Sequence, residues 1–251
     1  MWDTYIIIPM SNVLLWIYEI IGHNFGIAII LFTILIRAIT WPLTAQQLKG
    51  TQGMQELQKD KEWLGIQKKY KNDKEKLASE QMRIYKERGI NPFGSCLPTF
   101  IQFPIIIGLY QSIIRSLAAT PLSLLNLSRS LYSFLDVSQI IPLNSRFLWM
   151  DLGRPESINV FGFALPTLAI IVVITSYIQS KLMTPPSNPG DQGAAMGNMM
   201  AIYMPFLMGY FAMTFASGLA LYFIVSNLLG IAQYAMMGKA NWSNLIPGKK
   251  S

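Results

Sequence analysis

The sequence predicts an all-α polytopic membrane protein with five transmembrane helices, an N-terminal interfacial helix and a cytoplasmic helical hairpin. Three observations carry this. Several apolar runs approach the ~20 residues that a ~30 Å hydrocarbon core requires of a helix. Of the 251 residues, 52% are hydrophobic and only 13% charged. One polar stretch, residues 46–92, holds eleven of the twenty Lys and Arg, and charges cannot be stacked in lipid when each costs about 2.5 kcal/mol or more at helix centre.

Residues 1–23 lack the positive n-region and small-residue cleavage site of a signal peptide, so they read as retained. Pro9, Ser11, Asn12 and Glu19 interrupt their apolar character. That pattern suits an amphipathic helix at the outer interface, although apolar length alone also permits a sixth span. The first span, 24–45, contains "FTILIRAITWPL", with Arg37 inside it. Segment 46–92 reads as two antiparallel helices. Asn72 with Glu75 resembles a capping signature, Gly89 and Pro92 supply a stop, and Leu57, Leu64 and Tyr70 face Leu77, Ile84 and Tyr85. A plain solvated linker is the alternative. Then follow a second span at 93–117, an outer loop at 118–161, a third span at 162–181 and a Pro/Gly-rich loop at 182–198. A Met-rich fourth span at 199–214, a tight turn at residues 216–218, a fifth span at 217–237 and a short tail, 238–251, complete the chain.

The tail adds three lysines to the hairpin side, whereas residues 1–23 and 119–160 offer only Arg129, Arg146 and Arg154. The positive-inside rule therefore puts the hairpin and C-terminus in the cytoplasm and the N-terminus outside, and five spans satisfy that parity. The net charge of +7 reads as topology and attraction to anionic lipid or ribosomal RNA, not as a sequence-specific nucleic-acid groove.

With one Cys, Cys96, and one His, His23, the usual metal sets and nucleophile–base pairs are poorly supplied, and a membrane-embedded hydrolase is disfavoured. No metal or cofactor is expected. No Asp or Glu occurs in 25–55, 93–117, 162–181 or 199–237, so a proton relay has no carriers. Arg37 then has two readings: a long side chain snorkelling to the boundary, or a cation facing a wet cavity. Gln102, Gln111, Ser176, Gln179, Ser226, Asn227 and Gln233 lie at membrane depth as helix–helix glue or, together with Arg37, as the lining of a hydrated groove. Met199, Met200, Met204, Met208 and Met213 make either an adaptable apolar face or lipid-facing filler. A small anion channel or solute transporter using Arg37 as its anion site is the second class of function. It lacks the internal repeat common in transporters.

"NPFGSCLPTFIQFPIIIGLY" (91–110), "FLWMDLGRPE" (147–156) and "SGLALYFIVSN" (217–227) resemble the YidC/Oxa1/Alb3 family of membrane protein insertases. The resemblance covers residues 2–238. It implies a non-enzymatic insertase and chaperone of the bacterial cytoplasmic membrane, with nascent membrane proteins as substrates and ribosome–nascent chain complexes and the Sec translocon as partners. It also implies a hydrophilic groove open to cytoplasm and lipid, with the family arginine at Arg37, with Gln102, Gln179 and Phe223 near it, and with spans three and five as an apolar slide. Ala216 and Phe223 stand where the family commonly has Pro and Trp, which implies a looser start to span five and an aromatic ring without an indole donor.

Overall fold

The computed structural model describes residues 1–58, 60–70, 73–89, 97–117, 120–135, 140, 143–160, 163–183 and 192–237. The described chain is mostly helical. A π-helical stretch, Asp3–Ile7, leads into α1 (Ile8–Ile20), followed by α2 (Phe25–Gln58), α3 (Lys61–Lys69), α4 (Lys74–Glu87), α5 (Leu97–Leu117) and α6 (Pro121–Ser130). Two antiparallel ribbons come next, β1 (Arg146–Phe147) with β2 (Met150–Asp151) and β3 (Ile158–Val160) with β4 (Phe163–Leu165). The chain then forms α7 (Thr167–Met183), α8 (Gln192–Thr214) and α9 (Ser217–Met236). Phe25–Ala45 of α2 and the whole of α9 are long and apolar enough to cross a membrane. Helix α7 and the Ala201–Thr214 part of α8 are apolar but shorter, and Gln102–Leu117 and Pro121–Ser130 form a pair bent by 115°.

Helix α9 is the hub, packing on α7, α2, α8 and α5. The core is concentrated at one end of the bundle. It joins Phe25, Ile29 and Phe32 of α2, Leu109 and Ile113 of α5, Leu168 and Val172 of α7, and Leu219, Tyr222 and Phe223 of α9. Leu14, Leu15 and Tyr18 of α1 and Leu152 of the loop close it. Small residues permit this closeness. A Cβ on Gly209 would fall 2.3 Å from Val173 Cγ2, and one on Gly26 would fall 2.1 Å from the Phe147 ring. Outward faces stay apolar, with Ile34, Ile39, Ile174, Phe206 and Tyr210 exposed, as a surface solvated by lipid requires.

The loop 143–160 seats on this end. Helix starts carry backbone N–H groups without intrahelical partners, and Ala216 offers α9 no side-chain cap. The carbonyls of Arg154 and Leu152 fill that role, accepting from Ser217 N at 2.8 Å and Gly218 N at 3.0 Å, while Ser217 Oγ donates to Asp151 O. The start of α9 is thus held despite the missing proline.

Several details depart from the expectations. Ser11 and Asn12 face inward on α1, at 4% and 1% exposure. Asn12 Nδ2 donates to the Ser130 carbonyl, and Asn12 Oδ1 accepts from Tyr132 N, so Asn12 ties α1 to the end of α6, while Ser11 Oγ finds no partner among the described residues. The 118–161 segment, expected as an outer loop, holds α6, the β1–β2 ribbon and β3, whose partner β4 (Phe163–Leu165) occupies the expected start of the third span, so that helix begins at Thr167. Helix α4 is capped by Asp73, whose carboxylate accepts from Lys76 N, in place of Asn72, which lies outside the described residues along with Pro92, Cys96, 184–191 and the tail. That bond holds the Asp73 carboxyl below its ordinary range. Leu57, Trp63 and Ile84 form the small core between α3 and α4, with Ile66 and Tyr85 beside it. Trp63 replaces Leu64 because α2 ends at Gln58 and α3 starts from its own cap, Asp60, so a seven-residue step from Leu57 no longer keeps one face. Arg83 pairs with Glu62, Glu80 and Glu87, and those carboxylates push its pKa up.

Candidate functional site

Three helices start at the loop end and run in parallel, in register. Gly218 of α9 lies beside Ile29 of α2, and eight residues further along each chain Ser226 meets Arg37. Each helix changes character at the same level. On α2 the inward residues pass from Phe25, Ile29 and Phe32 to Thr33, Arg37 and Thr40. On α7 they pass from Leu168 and Val172 to Ser176 and Gln179, and on α9 from Leu219 and Tyr222 to Ser226, Gly230 and Gln233. The 3–4 residue spacing keeps each series on one face. An apolar half of the bundle thus gives way to a polar half.

Arg37 stands at the head of the polar half. Its Nε donates to Ser226 Oγ at 3.0 Å, and its Nη2 donates to Ser226 O at 2.7 Å and to Ser226 Oγ at 2.6 Å. The guanidinium therefore crosses to α9 instead of running along α2. Nη1 has no hydrogen-bond partner, and Arg37 no ion pair, among the described residues. Gln179 joins the cluster across Gly230. A Cβ there would fall 2.3 Å from Gln179 Nε2 and 3.6 Å from Arg37 Nη2. Gly230 is the residue that sequence reading missed, since an absent side chain gives no chemical signal.

The other candidates divide. Gln102 Nε2 donates to the Tyr222 hydroxyl at 2.5 Å, one helical turn before Ser226, so Gln102 belongs to the cluster through Tyr222. Asn227 faces α7, donating to Thr175 Oγ1 and Ser176 Oγ, which makes it a helix–helix tie. Phe223 is buried in the core beside Tyr222. Gln111 lies apart, accepting from Trp2 Nε1. Gln233 is buried, and its Nε2 finds no partner among the described residues. Met199 and Met213 are exposed and Met204 and Met208 half-buried. Of the two helices expected as an apolar slide, α7 exposes Ile170, Ile171 and Ile174, and α9 exposes Leu228 and Met236. Among the described residues no group of His, Cys, Asp and Glu is placed to hold a metal ion.

An unpaired arginine held between the helices of an apolar bundle, with amides and hydroxyls around it, defines a helical membrane protein with a polar site at mid-depth. The profile of the family described as 60Kd inner membrane protein matches residues 16–243, and the chain belongs to that family, the YidC/Oxa1 family. It is similar to the membrane protein insertase MisCA of Bacillus subtilis, 33% identical over 234 residues, covering 92% of this chain and 77% of that protein. The membrane protein insertase YidC of Chlorobaculum parvum is 37% identical over 240 residues, covering 92% of this chain and 35% of that protein. A crystal structure described as an active YidC insertase with its first transmembrane domain resolved matches with a TM-score of 0.58 at 25% identity, covering 94% of this chain and 46% of that one.

Proposed function

We propose that the chain is a membrane protein insertase and chaperone of the bacterial cytoplasmic membrane, working without covalent chemistry or cofactor. Its five spans are α2, α5, α7, α8 and α9, with the N-terminus outside, α1 at the outer interface, and α3 and α4 as a hairpin in the cytoplasm beside the C-terminus. The observation that carries the reading is Arg37, bound to neutral Ser226 and matched by no carboxylate among the described residues. A cation in that state, below a closed apolar half, suits a transient acidic visitor arriving from the cytoplasm.

The polar half serves as a hydrophilic groove lined by Arg37, Gln102, Gln179 and Ser226, with Asn227 tying α9 to α7 beside it and Phe223 forming its roof. A nascent protein's hydrophilic tail enters the groove, where amides and the guanidinium replace lost hydration. Its apolar helix leaves along α7 and α9, the third and fifth spans, which expose Ile170, Ile171, Ile174 and Leu228, driven by partitioning into lipid. Ribosome–nascent chain complexes deliver the substrate, beside the Sec translocon where one is engaged. Purified protein in liposomes with a ribosome-synthesised single-span substrate tests this. Protease protection of the translocated tail is expected, and protection no better than in empty liposomes, with an anion flux in its place, would assign the chain to channels.

A further inference from the structure

The loop end carries an apolar tip that the polar site does not explain. β1 and β2 are joined by Leu148 and Trp149, exposed at 74% and 57%. Leu148 has φ 54°, in the left-handed region where two-residue hairpin turns normally place Gly, Asn or Asp. A leucine there strains the backbone, and such strain concentrates where a side chain has work to do.

The contacts of the turn fix its height. The Phe147 ring closes on Gly26, the second residue of α2. Trp149 Nε1 donates to Glu156 Oε1, which also accepts from Thr167 Oγ1, while Glu156 Oε2 accepts from Leu168 N. The same loop caps Ser217 and Gly218. The turn is thereby pinned to the first turns of α2, α7 and α9 at once. The apolar stretches of α2 and α9 begin there, at Phe25 and Ser217, so the tip sits at the boundary of the hydrocarbon layer, where tryptophan concentrates. With its N–H bonded to Glu156, the exposed indole needs no water. Arg146 and Arg154 flank the tip and are exposed, and Arg154 meets Asp151 only at 3.9 Å. Two cations beside an apolar tip complement lipid phosphates.

We propose that the Leu148/Trp149 turn is a lipid-binding site. Its two side chains enter the acyl–headgroup boundary of the leaflet at the loop end, and Arg146 and Arg154 hold lipid phosphates. The full chain, as Leu148→Cys in a Cys96→Ser background, carries a small environment-sensitive fluorophore in vesicles of phosphatidylglycerol and phosphatidylcholine, with flotation establishing incorporation. Lipids bearing a nitroxide near the headgroup should quench it about twofold or more, and aqueous iodide should quench it several-fold less than the free dye. Iodide quenching without nitroxide quenching places the tip in water and overturns the proposal. Exclusion of both quenchers places it under protein and overturns it equally. The unmodified chain gives an independent reading: a phospholipid with a headgroup-proximal photoreactive group should label residues 146–154, and Arg146→Gln with Arg154→Gln should lower the yield about fivefold. No adduct in that segment also overturns the site.

Discussion

The two halves of the bundle use the same three helices for opposite ends. At the loop end, α2, α7 and α9 interlock through Phe32, Val172 and Leu219, all at most 1% exposed. One or two turns further on they present Arg37, Gln179 and Ser226. Close packing leaves no room for water, whereas a cation bound to a serine still has donors to offer. A span can thus be a barrier and a binding surface in succession, and the level at which it switches sets how deep a polar visitor can go.

The strongest way to break the comparison is to damage the apolar half. Phe32→Ala removes a ring with 1% exposure, and is expected to cost about 3–5 kcal/mol, seen as a lower unfolding temperature in detergent and as leakage of a small ion from vesicles. An unchanged unfolding temperature would mean that this half is not the seal. In the polar half the expected effects depend on the substrate. Arg37→Ala should weaken insertion of a substrate with an acidic tail by about 1–2 kcal/mol, and Arg37→Lys should retain most activity, because a moving carboxylate rewards charge over fork geometry. Insertion assays at matched protein level, with the tail acids neutralised stepwise, check this. A deficit that stays constant as acids are removed assigns Arg37 a structural role.

A smaller effect sharpens the boundary between the halves. Gly230→Ala places a methyl 2.3 Å from Gln179 Nε2 and should displace that amide at a cost of about 1 kcal/mol. Insertion is expected to fall a few-fold with little change in unfolding temperature, and full activity would remove Gln179 from the site. The smallest effect lies outside both halves. Folding holds the Asp73 carboxyl below its ordinary value, so its cap on α4 is complete above the ordinary carboxylate range and is lost as pH falls through the depressed value. Hydrogen exchange at the first turn of α4 should quicken below that range, and Asp73→Ala should make it quick at neutral pH.

Arg37 was legible because one charge in an apolar run announces itself, and the parallel run of polar residues at depth was legible for the same reason. Their partition was not. Ser226 and Asn227 are adjacent in sequence but ~100° apart around a helix, so one meets Arg37 and the other meets Thr175 and Ser176. Hydropathy located Phe25–Ala45 and α9 well, while the ribbons escaped it, since strands of two or three residues arise from contacts with distant helix ends and leave no periodicity. Asn12 misled for a related reason: a polar residue reads as solvent-facing until its partners, here Ser130 and Tyr132 at the α6 end, are known.

The common switching level also has an electrical consequence. Arg37 lies twelve residues past Phe25, about 18 Å along α2 at 1.5 Å per residue. In the proposed orientation, water filling the polar half would be a conductor at cytoplasmic potential, so the whole transmembrane voltage would drop across the remaining ~18 Å instead of ~30 Å. The work on a translocating charge stays at about 2.3 kcal/mol per 100 mV, but the force on it rises by roughly two-thirds, concentrated in the layer where Phe32, Tyr222 and Leu219 pack.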